Sequence, residues 1–173
     1  RHARRRRKAA RDHEGQDRVG PGQTPVREEQ PADHREGDQD IGLGVLGVRR
    51  EERVAILLPD RPEWAFAFFG AIKIGAVAVP LNTMLAPEDC QYVINDSGAR
   101  VLFVQGEERL AGMLAVRDQM PAVERVIAIG ARGGGPGVEE FEAFLATGEA
   151  VTDEEFSGWL RRARPEDLAT LLY

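Results

Sequence analysis

The chain has 173 residues, 42% of them hydrophobic and 30% charged, which is enough for one globular domain with its own core. Its formal net charge is −6, and the part after residue 40 carries 13 basic against 20 acidic side chains, so no nucleic acid is expected as a partner. A single cysteine, Cys90, excludes an internal disulfide framework and suits a reducing compartment, so a cytoplasmic location is expected.

The averages conceal two regimes. Residues 1–40 contain no aromatic residue, all three histidines, and ten basic against nine acidic side chains. No hydrophobic period of either kind occurs before Ile41, so residues 1–44 are expected to be a disordered tail, and the composition break also fits translation out of frame. "RHARRRRKAAR" is basic enough for a nucleic-acid arm, but no aromatic residue interleaves its arginines and acids follow at once. It reads as a solvated tail. "GLGVLG", Gly42 to Gly47, spells the dinucleotide fingerprint, which needs a strand before it and a helix after it. Here "EGDQD" precedes and a strand follows, so the match is discounted.

From Glu52 onward, apolar runs alternate with helical patterns. "RVAILL" (Arg53 to Leu58) predicts a strand covered on both faces. Asp60 is the expected N-cap of a helix over Pro62 to Ile74, apolar almost all round, ended by Gly75. The stretch Trp64 to Leu81 approaches the length of a membrane span. Lys73 in its middle, with Gly75 and Pro80, divides it into a helix and the strand "AVAVPL", so no transmembrane segment is expected.

A second helix should open at Pro87 and stop near Asp96 to Gly98, before the strand "RVLFV" (Arg100 to Val104). Glu107 to about Gln119 predicts a third helix and "RVIAI" (Arg125 to Ile129) a fourth strand. The loop "GARGGGPG" leads into Val138, Glu139 and Glu140, whose charge would repel phosphate, so it is read as a surface connection. Helices near Val138 to Ala146 and Asp153 to Arg161, and a final strand in "DLATLLY", complete the pattern. Repeated β-α-β predicts an α/β fold: a partial doubly wound, mainly parallel sheet with flanking helices, preceded by the disordered tail.

No catalytic constellation emerges from these residues. The folded part has no histidine, which excludes Ser-His-Asp and Cys-His arrangements there. No Cys, His and carboxylate cluster has metal-ligand spacing. The paired acids Glu107–Glu108, Glu139–Glu140 and Glu154–Glu155 all read as helix starts, where negative charge is structurally useful. No catalytic, cofactor-binding or metal residue is assigned.

The run Leu46 to Phe103 resembles the early N-terminal domain of the adenylate-forming (AMP-dependent) acyl- and aryl-CoA synthetases. Three stretches carry the resemblance: "GVRREERVAILLPDRPEW", "GAIKIGAVAVPLN" and "LAPEDCQYVINDSGARVLF". "MPAVERVIAIG" and "RPEDLATLLY" resemble later pieces of the family, so the likeness extends over about Leu46 to Tyr173.

The resemblance implies a ligase that activates a small carboxylic acid with ATP and Mg and transfers it to CoA. The first stretches lean toward benzoate-CoA ligases and the last toward long-chain fatty-acid ligases. In the family, "DLATLLY" runs into a Thr-Ser-Gly-Thr-Thr-Gly-x-Pro-Lys-Gly phosphate loop that these 173 residues do not contain. Residues 45–173 are therefore expected to be an incomplete N-terminal subdomain that holds no cofactor and is inactive alone. Two other readings stay open, a non-catalytic α/β partner-binding module and the start of a peptide-synthetase adenylation domain. The sequence assigns no oligomeric state.

Overall fold

The computed structural model describes residues 42–173. The expected disordered tail lies outside the described residues up to position 41, as do the three histidines. Residues 42–44, assigned to that tail from sequence, belong to the folded part: 42–45 form a helical turn and Leu43 is fully buried. Glycine makes this possible. A Cβ on Gly42 would stand 2.6 Å from Phe144, and one on Gly44 would stand 2.4 Å from Trp159.

Five strands and five α-helices follow: β1 (Arg53–Leu57), α1 (Pro62–Lys73), β2 (Val77–Pro80), α2 (Pro87–Ser97), β3 (Ala99–Gln105), α3 (Glu107–Ala115), β4 (Arg125–Ile129), β5 (Val138–Glu140), α4 (Phe141–Ala146) and α5 (Asp153–Leu160). The sheet order is β2-β1-β3-β4-β5 and every pairing is parallel. From β1 the chain steps to one side for β2, then crosses back to the other side for β3. With right-handed crossovers, that reversal places helices on both faces.

Alternation along the strands builds two cores. Ala55, Leu57, Leu102 and Val104 face α2 and α3, meeting Ile94, Leu110 and Met113. Val54, Ile56, Val101 and Phe103 face the opposite way, toward Ala67 and Ala71 of α1 and Phe144 of α4. The rings of Phe103 and Phe144 meet edge to face at 5.5 Å.

Local differences from the expected elements have identifiable causes. The N-cap of α1 is Arg61 rather than Asp60, with no side-chain cap and Pro62 in the first turn. The α1 helix is buried only along Ala67, Gly70 and Ala71, and Phe69 on its outer side is 57% exposed, because the sheet covers one face of the helix. Residues Val138–Glu140 are strand rather than helix: after the glycine loop the chain passes alongside β4 and pairs Val138 with Val126. The final apolar run forms one parallel bridge, Ala78 to Thr170, and not a full strand. Most of it stays outside the core, with Leu168 54% and Leu172 77% exposed.

Candidate functional site

In an open parallel sheet, the strand ends at the carboxyl edge flank a crevice where the order reverses, and ligands bind there as a general rule. In this sheet the reversal lies between β1 and β3, and cavities open near this edge on both faces. On the α2–α3 face, about 270 Å³ is enclosed by residues that include Leu57, Thr83, Cys90, Arg109 and Met113. On the other face, a cavity of about 460 Å³ lies among the ends of α1, β4 and α4. A third, of about 300 Å³, is walled by Pro80, Leu81, Leu85, Tyr92 and Tyr173.

The first cavity has a thiol in its wall, but not a reactive one. Cys90 is 1% exposed, and burial, helped by Asp89, pushes its thiol above the ordinary range. It behaves as the small packed residue that its helical setting predicts. The second cavity mixes charges of both signs. Arg61 forks onto Glu63 through two bonds of 2.7 Å, while Glu107, Arg132, Glu140 and Glu142 complete the polar lining. The glycine loop reaches this cavity with Gly130 and Arg132, then enters β5 rather than a helix. Glu140 and Glu142 follow at the rim, an arrangement that repels a phosphate.

The acid pairs end up in different settings. Glu107 and Glu108 lie in the first turn of α3 and face different cavities, whereas Glu139 and Glu140 are in strand β5. Glu155 closes a capping box with Thr152 at the start of α5. The Thr152 backbone N–H, donated at 3.0 Å, and its hydroxyl hold the Glu155 carboxyl below the usual carboxylate range. Among the described residues no three His, Cys, Asp or Glu side chains gather in a way that could hold a metal ion.

Sequence reasoning did not find the long-range polar ties at the ends of the last segment. Arg50 donates from Nε to both oxygens of Asp167, at 3.1 and 2.9 Å, and its Nη2 also pairs with Asp167 Oδ1. At the far end, Tyr173 donates its hydroxyl to Asp96 at 2.7 Å. No local pattern marks partners separated by 117 and 77 positions.

Residues 42–173 match the family model described as AMP-binding enzyme, which takes in every described residue. The chain belongs to the AMP-binding enzyme family. Its resemblance and its α/β fold are thereby upheld, and it corresponds to an N-terminal portion of such enzymes.

Among curated members of the AMP-binding family, it is 37% identical to a 3-hydroxybenzoate–CoA/4-hydroxybenzoate–CoA ligase of Thauera aromatica, over 85% of this chain and 26% of that protein. It is 32% identical to the long-chain-fatty-acid–CoA ligase FadD15 of Mycobacterium bovis, over 77% of this chain and 22% of that protein. The crystal structure of the anthranilate CoA ligase AuaEII in complex with anthranoyl-AMP superimposes with a TM-score of 0.56 at 31% identity, over 80% of this chain and 23% of that one. The chain thus spans about a quarter of the length of the relatives it matches. Among the described residues, no helix is long and apolar enough to cross a membrane.

Proposed function

We propose that this chain is the opening part of the N-terminal domain of an ATP-dependent aryl- or acyl-CoA ligase, with an aromatic carboxylate as the favoured substrate. In that reaction the carboxylate attacks the α-phosphate of ATP, releasing pyrophosphate and forming an acyl-adenylate. The CoA thiol then takes the acyl group and releases AMP. The observation that carries the reading is the 37% identity with a hydroxybenzoate–CoA ligase, sustained over 85% of the chain. The lower and shorter match to a fatty-acid ligase supports the wider class and favours the aromatic acid within it. A cytoplasmic location accompanies this reading, since ATP and CoA must both be at hand.

Within this reading the 173 residues form scaffold rather than reaction centre. Cys90 is too buried to act as a nucleophile, and the polar cavity sets four glutamates against Arg61 and Arg132, which supports assigning the ATP, Mg and CoA contacts to other parts of the ligase. The experiment is acid-dependent exchange of pyrophosphate into ATP, run on the longest protein that contains this sequence, with hydroxybenzoates and long-chain fatty acids as alternative substrates. Exchange with hydroxybenzoates is the expected result, and exchange with fatty acids alone would reassign the substrate. The 173-residue chain by itself is expected to show neither exchange nor ATP binding by calorimetry. Clear binding by that chain would refute the scaffold assignment.

A further inference from the structure

The segment after α5 is thinly attached, and its attachment is unusual. Residues 168–173 run parallel to the outer edge of β2, and only two backbone bonds hold them there. The Ala78 N–H donates to Ala169 O, and the Leu171 N–H donates to Ala78 O, each at 3.0 Å. Leu171 packs against the core, whereas Leu168, Leu172 and Tyr173 are largely exposed. The Thr170 hydroxyl oxygen is buried with no hydrogen-bond partner. Strand register is strongly specified where one full face is buried, and a single packed leucine specifies it weakly.

Two polar ties flank it: the Tyr173 hydroxyl donates to Asp96 at the far end, and a nearly buried carboxylate lies just upstream. The Asp167 side chain is 9% exposed, and both its oxygens are engaged by Arg50. The same carboxylate accepts the Arg164 backbone N–H at 2.9 Å. Two backbone features make room for this fork. Glu51 takes a left-handed φ of 68°, an uncommon conformation for a residue with a Cβ, and donates its N–H to Gly75 O at 2.7 Å. Gly75, with φ 78°, leaves the space in which three segments meet: a Cβ there would stand 3.1 Å from Arg50 Cγ, 3.4 Å from Ala163 Cα and 3.5 Å from Asp167 Oδ2.

We propose that Arg50 and Asp167 are a positioning pair, whose fork sets the register of residues 168–173 on β2 and thereby places Tyr173 in the wall of the cavity at the sheet's carboxyl edge. The pair sits beside the start of β2, and Tyr173, three residues past the bridge at Thr170, lines the cavity formed with Pro80, Leu81 and Tyr92. A one-residue slip would turn Leu171 out of the core and withdraw Tyr173 from that cavity. The inference rests on this geometry and does not need the ligase reading.

Amide hydrogen exchange on the 173-residue chain tests it. Asp167→Asn and Arg50→Gln should each speed exchange at Ala78 and Leu171 by about tenfold, the scale of a charged hydrogen bond, while amides in β1, β3 and β4 keep their rates. The double variant should be no faster than either single one, because both remove the same interaction. Gly75→Ala keeps every charge yet crowds Arg50, and should accelerate the same two amides if the charge variants fail to fold. Unchanged exchange at those amides, equal acceleration throughout the core, or additive single effects would each overturn the proposal. Loss of ligase activity plays no part in these readouts, so failure here and failure of the proposed function are separate results.

Discussion

From Arg53 to Ala146 the strands and helices build the two buried cores, whereas from Thr152 to Tyr173 the chain lies against that body and is fastened at separate points. In the first region Phe103, Leu102 and Ile127 are fully buried, so apolar area removed from water does most of the stabilising. In the second, α5 has no fully buried residue and is held by Trp159 and a capping box, and the last segment is held by the Arg50–Asp167 fork and the Tyr173–Asp96 bond. Burial tolerates many side chains of the right size, while a point attachment depends on one or two particular groups. Sequence change should therefore be felt as graded loss in the first region and as local release in the second.

The largest effect should come from Phe103→Ala, which empties the centre of one core. About 3–5 kcal/mol of stability should be lost, seen as a lower urea midpoint for the whole domain. Gly75→Ala comes next, at about 1–2 kcal/mol, because an L-residue resists its left-handed φ of 78°. Thr152→Ala should cost about 1 kcal/mol, read as faster amide exchange confined to α5. If it instead lowered the urea midpoint as much as Phe103→Ala does, the contrast between the two regions would collapse.

The smallest effect at neutral pH concerns acid. The Arg50 side chain, bonded to Asp167, holds the Asp167 carboxyl below its ordinary range. A carboxyl depressed in the folded state contributes stability above its unfolded pKa of about 3.9 and loses it as pH falls through the lower folded value. Residues 168–173 should thus stay docked from neutral pH down to about pH 4 and release only in stronger acid. Chemical shifts of the Leu171 amide across an acid titration check this, and release near pH 6 would contradict it.

Much of the sheet was legible because its strands are continuous apolar runs bounded by glycine or proline; Arg125 to Ile129 was placed to the residue. Where a decision turned on tertiary pairing, sequence was a poor guide. Val138–Glu140 carries two glutamates that look like a helix start, yet parallel pairing with β4 makes it a strand. Leu43 was assigned to the tail because no hydrophobic period precedes Ile41, although its neighbouring glycines are what let Phe144 and Trp159 close over the turn. The family was legible from three quoted stretches. The cavities and the Arg50–Asp167 fork were not, since they join residues that only the folded chain brings together.

The central place of β1 has a consequence for synthesis on the ribosome. Of the five strands it emerges first, yet it is flanked by β2 on one side and by β3 on the other, and β3 begins only at Ala99. Until then, the layer over Ala55 and Leu57 has α2 but not α3, and one strand edge stays unpaired. Such half-covered intermediates are what chaperones bind and what aggregates recruit. Ribosome-bound chains ending before Ala99 should therefore be captured by chaperones, and released chains complete through Ala146 should escape them.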